Sequence, residues 1–253
     1  MINDYIIITG SAGFLGNFFS KKLFNIGYNL ILLDKKKNNL KDDNSKNKII
    51  PFRVDLTKES SIKSIFSKIK KKKISVTGII NCAAVDTPPR KKKNLKKYLS
   101  TKDWNKEINV GLTASYLIIK YFGEQMYKKG FGRIVNFGSD LSIISPNQEI
   151  YKKSYKNYKK PASYSVIKHG LLGMTKYFAS LYAERNVTCN MISPGPVFND
   201  QSNSLVQEIK KQTPMKRLCK KEDLICAVLF LLDENNKFMT GQNIVVDGGK
   251  TII

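Results

Sequence analysis

The 253-residue sequence is poor in several residue types, and each shortage narrows what the protein can be. Four scattered cysteines match no metal-ligand spacing, so we expect no bound metal and small, buried, reduced thiols; they are Cys82, Cys189, Cys219 and Cys226. No stretch approaches the roughly 20 consecutive apolar residues that a membrane helix needs. The first residues lead directly into an apolar run, without the basic region or cleavage site of a secretory signal. We therefore expect a cytoplasmic protein that does not cross a membrane.

Acidic residues are also scarce, since 20 of them face 44 lysines and arginines, for a formal net charge of +24. Such a balance is typical of proteins that bind nucleic acid. The lysine runs at 35–37, 70–73 and 91–93, however, fall in predicted loops and helix ends and lack interleaved aromatic residues that could stack on bases. We interpret the charge as a solvated surface, so nucleic acid is not the expected partner. Attraction of phosphorylated or nucleotide-linked substrates, or weak nucleic-acid binding, stays as an alternative.

Three of the 16 glycines lie in one short stretch directly after the apolar run 6–8. Gly10, Gly13 and Gly16 are followed by apolar residues at helical spacing, which predicts a strand, a tight turn and a helix. Glycines allow backbone N–H groups to approach an anion, and the positive end of the helix stabilises a pyrophosphate. The motif alone is weak, because glycine-rich turns are common. The candidate dinucleotide contacts in it are Thr9, Gly10, Ser11, Gly13, Phe14, Leu15 and Gly16.

Apolar strand patterns alternate with helical patterns along the whole chain. We predict strands at 6–8, 29–33, 49–54, 79–80, 132–137, 187–192 and 243–246. This alternation indicates a parallel sheet covered by helices on both faces. The expected fold is a single Rossmann-type domain over residues 1–253, a three-layer αβα sandwich with a doubly wound parallel sheet of about seven strands. Segments 85–101 and 140–160 are predicted to be irregular, and 198–221 to be a partly helical lid; all three should flank the substrate cleft.

Polar candidates follow the predicted strands, at the edge where open α/β sheets bind their ligands. Asp34 ends the second strand, about 20 residues after the glycine turn, where a carboxylate can accept hydrogen bonds from an adenosine ribose. It would repel a 2′-phosphate, so NAD is the expected cofactor. The lysines at 35–37 could hold that phosphate, so NADP stays as an alternative.

Tyr164 and Lys168 lie four residues apart on one predicted helix and therefore share a face. A neighbouring ammonium favours the phenolate, which would bring the pKa of the tyrosine toward neutrality and make it a general acid–base. Ser139, after the fifth strand, could hold the same substrate oxygen, and Asn109 could connect Lys168 to solvent through a water. His169 points about 100° away from Lys168 around the helix, so we expect a structural role for it.

Taken in order, these motifs resemble those of the short-chain dehydrogenase/reductase family, in its single-domain branch. The motifs are Thr9-Gly10-x-x-Gly13-x-x-Gly16, Asp55-Leu56, Asn81-x-Ala83-Ala84, Asn109, Ser139, Tyr164-x-x-x-Lys168, Pro194-Gly195 and the segment 241–249. The resemblance implies a catalytic tetrad of Ser139, Tyr164, Lys168 and Asn109, with Lys168 also on the nicotinamide ribose. It places further cofactor contacts at Asp34, Asp55, Leu56, Asn81, Ala83, Ala84, Pro194, Gly195 and Val197, and counts Tyr164 and Lys168 among the cofactor contacts as well. It also implies a homo-oligomer, a dimer or tetramer, built through the helices that begin near Asp103 and Ala162.

The sequence departs from the usual pattern of single-domain members in two ways that bear on the substrate. The glycine spacing matches the extended, sugar-nucleotide-modifying branch, with Phe14 where a single-domain member usually has glycine. The stretch between Ser139 and Tyr164 is longer than usual and resembles a subgroup linked to bacterial surface-sugar synthesis, with legionaminic- or sialic-acid-like products. We therefore expect an NAD(P)-dependent alcohol–carbonyl oxidoreductase with a polar small-molecule substrate such as a sugar derivative. The alternatives are a nucleotide-sugar epimerase or dehydratase with bound NAD, and a non-enzymatic nucleotide-sensing or nucleic-acid-associated protein.

Overall fold

The computed structural model describes residues 4–40, 47–85, 98–155 and 158–253. These residues form one seven-stranded sheet in the order β3-β2-β1-β4-β5-β6-β7, and every neighbouring pair is parallel. The strands are β1 Asp4–Thr9, β2 Asn29–Asp34, β3 Ile49–Arg53, β4 Ser75–Asn81, β5 Gly132–Phe137, β6 Val187–Pro194 and β7 Asn243–Val246. The strand order reverses between β1 and β4, which opens a crevice at their carboxyl ends. The predicted fold class is confirmed.

Both faces of the sheet are buried, as the β-branched runs of its central strands require. Successive side chains of a strand point to opposite faces, and β1 shows this directly. Ile7 belongs to one apolar core together with residues of Glu59–Lys71 and Ala162–Tyr182, whereas Ile6 and Ile8 belong to the other core. The second core is closed by residues of Phe14–Asn25 and Ile225–Leu232. The three layers therefore follow from the alternation along each strand.

The helices are α1 Phe14–Asn25, α2 Glu59–Lys71, α3 Thr101–Ile108, α4 Ala114–Ile118, α5 Glu124–Lys129, α6 Gln148–Ser154, α7 Ala162–Tyr182, α8 Asn203–Lys211 and α9 Ile225–Leu232. The helix predicted to start near Asp103 begins at Thr101 and is divided by two π-helical segments, Asn109–Thr113 and Ile119–Gly123. Single π-turns inside α-helices occur frequently at functional sites. Sequence periodicity did not indicate these interruptions.

The interpretation of 140–160 as irregular is wrong for part of that segment. It contains a 3₁₀ turn, Asp140–Ser142, and helix α6, while α8 accounts for the helical part of 198–221. The two helices pack on each other through a small apolar cluster of Ile150, Leu205, Ile209 and Leu218. The only apolar residues of α6, Ile150 and Tyr151, stand between polar and charged neighbours, so the sequence alone does not indicate the side that packs on α8. The predicted loop 85–101 lies mainly outside the described residues.

The cysteine prediction is only partly right. Cys189 is buried, Cys82 and Cys219 are partly exposed, and Cys226 is exposed; all four are free thiols. None of the described helices has the length and apolar character to cross a bilayer. In the same part of the chain, no group of histidine, cysteine and acidic side chains is arranged to hold a metal ion.

Candidate active site

A cavity of about 540 Å³ opens at the carboxyl ends of the strands. The glycine turn, the end of β2 and the segments that follow β5 and β6 line it. Residues from α6, α7, α8 and the C-terminal 3₁₀ turn, Lys250–Ile252, complete its wall. The sheet topology therefore brings both predicted halves of the site, the dinucleotide contacts and the Tyr–Lys pair, to one cavity.

The glycine turn forms a cradle that side chains would fill. Gly10 has a φ of +65°, and a Cβ there would lie 2.9 Å from the Ala83 Cα. A Cβ on Gly16 would overlap the Gly10 carbonyl oxygen. The first turn of α1 carries no acidic residue, so the unpaired N–H groups and the positive helix end are available to an anion. These features fit the pyrophosphate of a dinucleotide.

Asp34 reaches the cavity from the end of β2 and is held by two backbone hydrogen bonds. Its Oδ2 accepts from the Ala12 N–H at 3.0 Å, and its Oδ1 accepts from the Lys36 N–H at 2.7 Å. Lys36 also lines the cavity. Lys35 instead forms an exposed ion pair with Asp55 at 3.1 Å. The carboxylate is therefore fixed where a ribose of a bound dinucleotide would be expected.

Tyr164 and Lys168 face the cavity from the first turns of α7. Lys168 is buried, and its Nζ donates a hydrogen bond to the Phe137 carbonyl at 2.8 Å. The same Nζ lies 5.5 Å from the centre of the Tyr164 ring. A charged group is thus fixed by the end of β5 beside a phenol that opens on the cavity.

The position of α7 depends on a buried chain of side-chain amides. Asn81 Nδ2 donates to Asn136 Oδ1 at 2.8 Å, and Asn136 Nδ2 donates to Thr175 Oγ1 on α7 at 2.9 Å. Asn81 is therefore directed into the sheet and does not line the cavity. Its observed contacts are those of a residue that fixes α7 against β4 and β5, and its role as a cofactor contact stays a prediction.

Ser139 caps the 3₁₀ turn that follows β5. Its Oγ accepts from the Leu141 N–H at 3.2 Å and donates to Asp140 Oδ1 at 2.7 Å, since an ionised carboxylate only accepts. Asp140 Oδ2 in turn accepts from Lys250 Nζ, and both members of this ion pair are buried. Asp140 and Lys250 line the cavity and were not predicted from the sequence. Their positions next to Ser139 and to the terminal Gly-Gly pair are the only sequence signal for them.

Thirteen of the predicted site residues line the cavity, and seven do not. Those that line it are Gly10, Gly13, Phe14, Leu15, Gly16, Asp34, Ala84, Ser139, Tyr164, Lys168, Pro194, Gly195 and Val197. The seven others are Thr9, Ser11, Asp55, Leu56, Asn81, Ala83 and Asn109.

The reasons lie in what these side chains contact. Thr9 Oγ1 accepts from the N–H groups of Cys82 and Ala83, at 3.1 and 3.2 Å, and so joins the ends of β1 and β4. Leu56 belongs to the apolar core. Asn109 is exposed at the start of the first π segment and accepts from Thr113 Oγ1 at 3.4 Å.

Asp55 forms a separate cluster at the end of β3. It accepts hydrogen bonds from the hydroxyl and the N–H of Thr57, and it pairs with Lys35. The Thr57 hydroxyl is the main cause that lowers the pKa of Asp55 to about 2. His169, expected to be structural, has its Nδ1 3.0 Å from the Ser165 carbonyl and does not line the cavity.

A glycine cradle, a fixed carboxylate at the neighbouring strand end and a tyrosine–lysine pair in one cavity define a dinucleotide-dependent oxidoreductase. A family model described as "Enoyl-(Acyl carrier protein) reductase" matches residues 15–251. The 3-oxoacyl-[acyl-carrier-protein] reductase FabG of Buchnera aphidicola subsp. Schizaphis graminum is 31% identical, over 96% of this chain and 95% of its own length. The NAD-dependent glycerol dehydrogenase of Listeria innocua is 26% identical, over 97% of this chain and 93% of its own length.

Among solved structures, a short-chain dehydrogenase from Leptospira borgpetersenii with bound NAD⁺ superposes with a TM-score of 0.88 at 27% identity. The match covers 98% of this chain and 93% of that one. The chain belongs to the short-chain dehydrogenase/reductase family. The predicted class of enzyme, an oxidoreductase that acts on alcohol and carbonyl groups with NAD or NADP, is thereby confirmed. The narrower resemblance to a surface-sugar subgroup stays a prediction.

Proposed function

We propose that this enzyme interconverts an alcohol and a carbonyl compound, with Tyr164 as the general acid–base. The observation that carries the proposal is the position of Tyr164 and Lys168 in the same cavity as the glycine cradle and Asp34. The nicotinamide cofactor supplies or accepts the hydride. The protein must then move one proton at the substrate oxygen, and a tyrosine beside a fixed ammonium is suited to this task.

The neighbouring groups would support Tyr164 in different ways. Lys168, held by the Phe137 carbonyl, favours the phenolate and can hold the nicotinamide ribose. The Ser139 hydroxyl donates a hydrogen bond to Asp140 and accepts one from the Leu141 N–H. Its second lone pair can therefore accept a hydrogen bond from a substrate hydroxyl. For Asn109 we propose a water-mediated link to Lys168, supported by its place at the π segment.

We propose NAD as the preferred cofactor. Asp34 holds its carboxylate at the cavity, and a 2′-phosphate there would face a negative charge. Lys35 is paired with Asp55, which leaves Lys36 as the cavity-lining lysine next to Asp34. NADP stays as the alternative through that side chain. The NAD⁺ in the Leptospira structure and the NAD dependence of the Listeria relative agree with this preference.

For the substrate we propose a polar small molecule, with sugar derivatives and polyols as the first compounds to try. The Listeria relative is named for glycerol and the Buchnera relative for a 3-oxoacyl carrier-protein substrate, so a screen includes both chemistries. We further propose a cytoplasmic homo-oligomer. The exposed apolar residues Tyr116 on α4 and Tyr177 and Leu181 on α7 support the homo-oligomer. The free thiols of all four cysteines support the cytoplasmic location.

The test is a Tyr164→Phe variant, assayed by nicotinamide absorbance on the best substrate of a screen of polyols, sugar phosphates, nucleotide sugars and 3-oxoacyl thioesters. Loss of the acid–base group should lower kcat by about 10²-fold or more. Binding of NADH should remain, because the phenol is not part of the glycine cradle. His169→Gln, which changes the side chain next to Lys168 outside the cavity, is the matched control and should keep full activity. Full turnover by Tyr164→Phe would refute the mechanism.

A further inference from the structure

The cavity carries an excess of positive charge. Among the described residues that line it there are four lysines and two carboxylates; they are Lys36, Lys160, Lys168, Lys250, Asp34 and Asp140. Asp34 lies on the glycine-turn side, and Asp140 is paired with Lys250. The side of the cavity around Tyr164 is therefore electropositive, and it lies next to the positive end of the 21-residue helix α7.

Lys160 contributes most directly to this charge at the reacting group. Its Nζ lies 3.8 Å from the centre of the Tyr164 ring, closer than the Nζ of Lys168 at 5.5 Å. An ammonium on an aromatic face is held by the ring electrons. Lys160 also lines the cavity, so the same ammonium lies beside both the Tyr164 ring and the space that a substrate would occupy.

The backbone around Lys160 is fixed by one side chain of α6. The Lys160 N–H donates to Gln148 Oε1 at 3.0 Å, and Gln148 Nε2 donates to the Lys160 carbonyl at 3.2 Å. The long segment between Ser139 and Tyr164 thus contains a helix whose first residue holds this lysine in place. The bonds to Gln148 fix the backbone at Lys160, and the contact with the Tyr164 ring places its ammonium.

We propose that Lys160 binds a carboxylate or phosphate of the substrate, next to the carbon that exchanges the hydride. The substrate is then a hydroxy or oxo acid, or the corresponding phosphate ester. This inference rests on the proposed function, because it is the role of Tyr164 that places the reacting carbon beside Lys160. A charge-assisted hydrogen bond from a lysine to such an anion is among the stronger polar contacts in proteins.

Tyr151 of α6 gives this anion a second donor. It lines the cavity, and burial is the main cause that raises the pKa of its hydroxyl. The hydroxyl therefore stays protonated at neutral pH and can donate a hydrogen bond. An ammonium and a neutral phenol on α6 and its adjoining segment would together select an anionic over a neutral alcohol.

The activity test compares the wild type with Lys160→Met, Lys160→Arg and Lys159→Met. Lys159 is exposed and does not line the cavity, so its variant is the matched control. Each enzyme is assayed with two substrate pairs, 3-hydroxybutyrate with 1,3-butanediol and glycerol 3-phosphate with glycerol. We expect the wild type to prefer the anionic member, and Lys160→Met to raise its KM about tenfold or more. Any change in kcat that arises through the Tyr164 ring should be the same for both members of a pair, so the readout is the rise in KM for the anionic member relative to the neutral one. Lys160→Arg should restore most of the affinity.

The two pairs distinguish a carboxylate from a phosphate. A wild type that prefers the neutral members, or a Lys160→Met variant that loses activity equally on both members of a pair, would overturn the proposal. The second outcome would mean that Lys160 only supports the Tyr164 ring.

A binding measurement decides the matter even where neither pair is turned over. Succinate and inorganic phosphate are titrated calorimetrically into enzyme saturated with NADH, which keeps anions out of the glycine cradle. The wild type, Lys159→Met and Tyr164→Phe should bind one of the two anions, and Lys160→Met should bind it about tenfold more weakly or not at all. Equal binding with and without Lys160, or no binding by the wild type, contradicts the inference. Tyr164→Phe with full turnover defeats the proposed function alone, since its anion binding is read separately.

Discussion

Lys250 and Asp140 form a buried ion pair directly behind Ser139, although 110 residues separate them in the sequence. Lys250 reaches the pair from the C-terminal 3₁₀ turn, which Asp247 holds by accepting the N–H groups of Gly249 and Thr251. The other oxygen of Asp140 accepts a hydrogen bond from the Ser139 hydroxyl. The end of the chain therefore determines the direction in which a proposed catalytic hydroxyl points.

Removal of Lys250 should destabilise the fold strongly. Lys250→Met would leave the Asp140 carboxylate buried without its counter-ion, which typically costs about 3–5 kcal/mol. Urea unfolding followed by circular dichroism should show the lower free energy of unfolding. The double variant Asp140→Leu with Lys250→Met should recover part of the loss, because it removes both charges. If Lys250→Met unfolds at the wild-type urea concentration, the pair does not contribute to stability.

The glycine turn gives a second prediction, with a control inside the same chain. Gly16→Ala places a methyl group against the Gly10 carbonyl, which should destabilise the protein by about 1–3 kcal/mol and weaken NADH binding. Gly173→Ala adds the same group to α7 where, apart from the adjoining backbone of the helix itself, no atom lies within 4 Å, so it should stabilise the helix by about 0.5–1 kcal/mol. Thermal unfolding and NADH fluorescence titration measure both effects. Equal behaviour of the two variants would contradict the steric argument.

How far the sequence could predict this structure depends on how local the determining contacts are. The β1 run, the glycine turn and α1 are adjacent in the chain, and the spacing of Tyr164 and Lys168 places both on one helical face whatever surrounds them. The fold class followed from the same kind of local pattern, repeated along the chain.

The features that escaped prediction depend on distant partners. Helix α6 presents only a short apolar side, which α8 covers from more than fifty residues away. The pairing of Asp140 with Lys250 has no local pattern at all. Asn81 Nδ2 donates to Asn136 Oδ1, and Thr9 Oγ1 accepts from the N–H groups of Cys82 and Ala83; these contacts across the sheet depend on which strands pair. The sequence shows only polar residues at strand ends, so it does not reveal these contacts, and the role of Asn81 and Thr9 toward a cofactor stays a prediction.

Asp34 should set the choice between the two cofactors. Asp34→Ser removes the negative charge at the ribose end of the cavity, so kcat/KM for NAD⁺ should fall and that for NADP⁺ should rise, each by about tenfold. The gain with NADP⁺ should depend on Lys36, because this lysine lines the cavity beside Asp34. Adding Lys36→Met should abolish the gain, whereas adding Lys37→Met, an exposed neighbour outside the cavity, should not. A wild-type preference for NADP⁺ would contradict the assignment.

Asp55 should make the stability depend on pH in the acid range. Because the folded-state pKa of about 2 lies below the ordinary value of 3.8, the folded protein favours the ionised carboxyl. This stabilisation is fully present above pH 4 and is lost as the pH falls from about 4 toward 2. Thr57→Val removes the hydroxyl that lowers this pKa most, so the folded-state pKa should rise toward 3.8, and the stability lost to acid should be smaller and should end at a higher pH. Urea unfolding between pH 6 and about pH 2.5 tests this. Asp55→Asn should lack this component of the pH dependence, and identical slopes for Asp55→Asn and the wild type would show that the Asp55–Thr57 contact does not couple to folding.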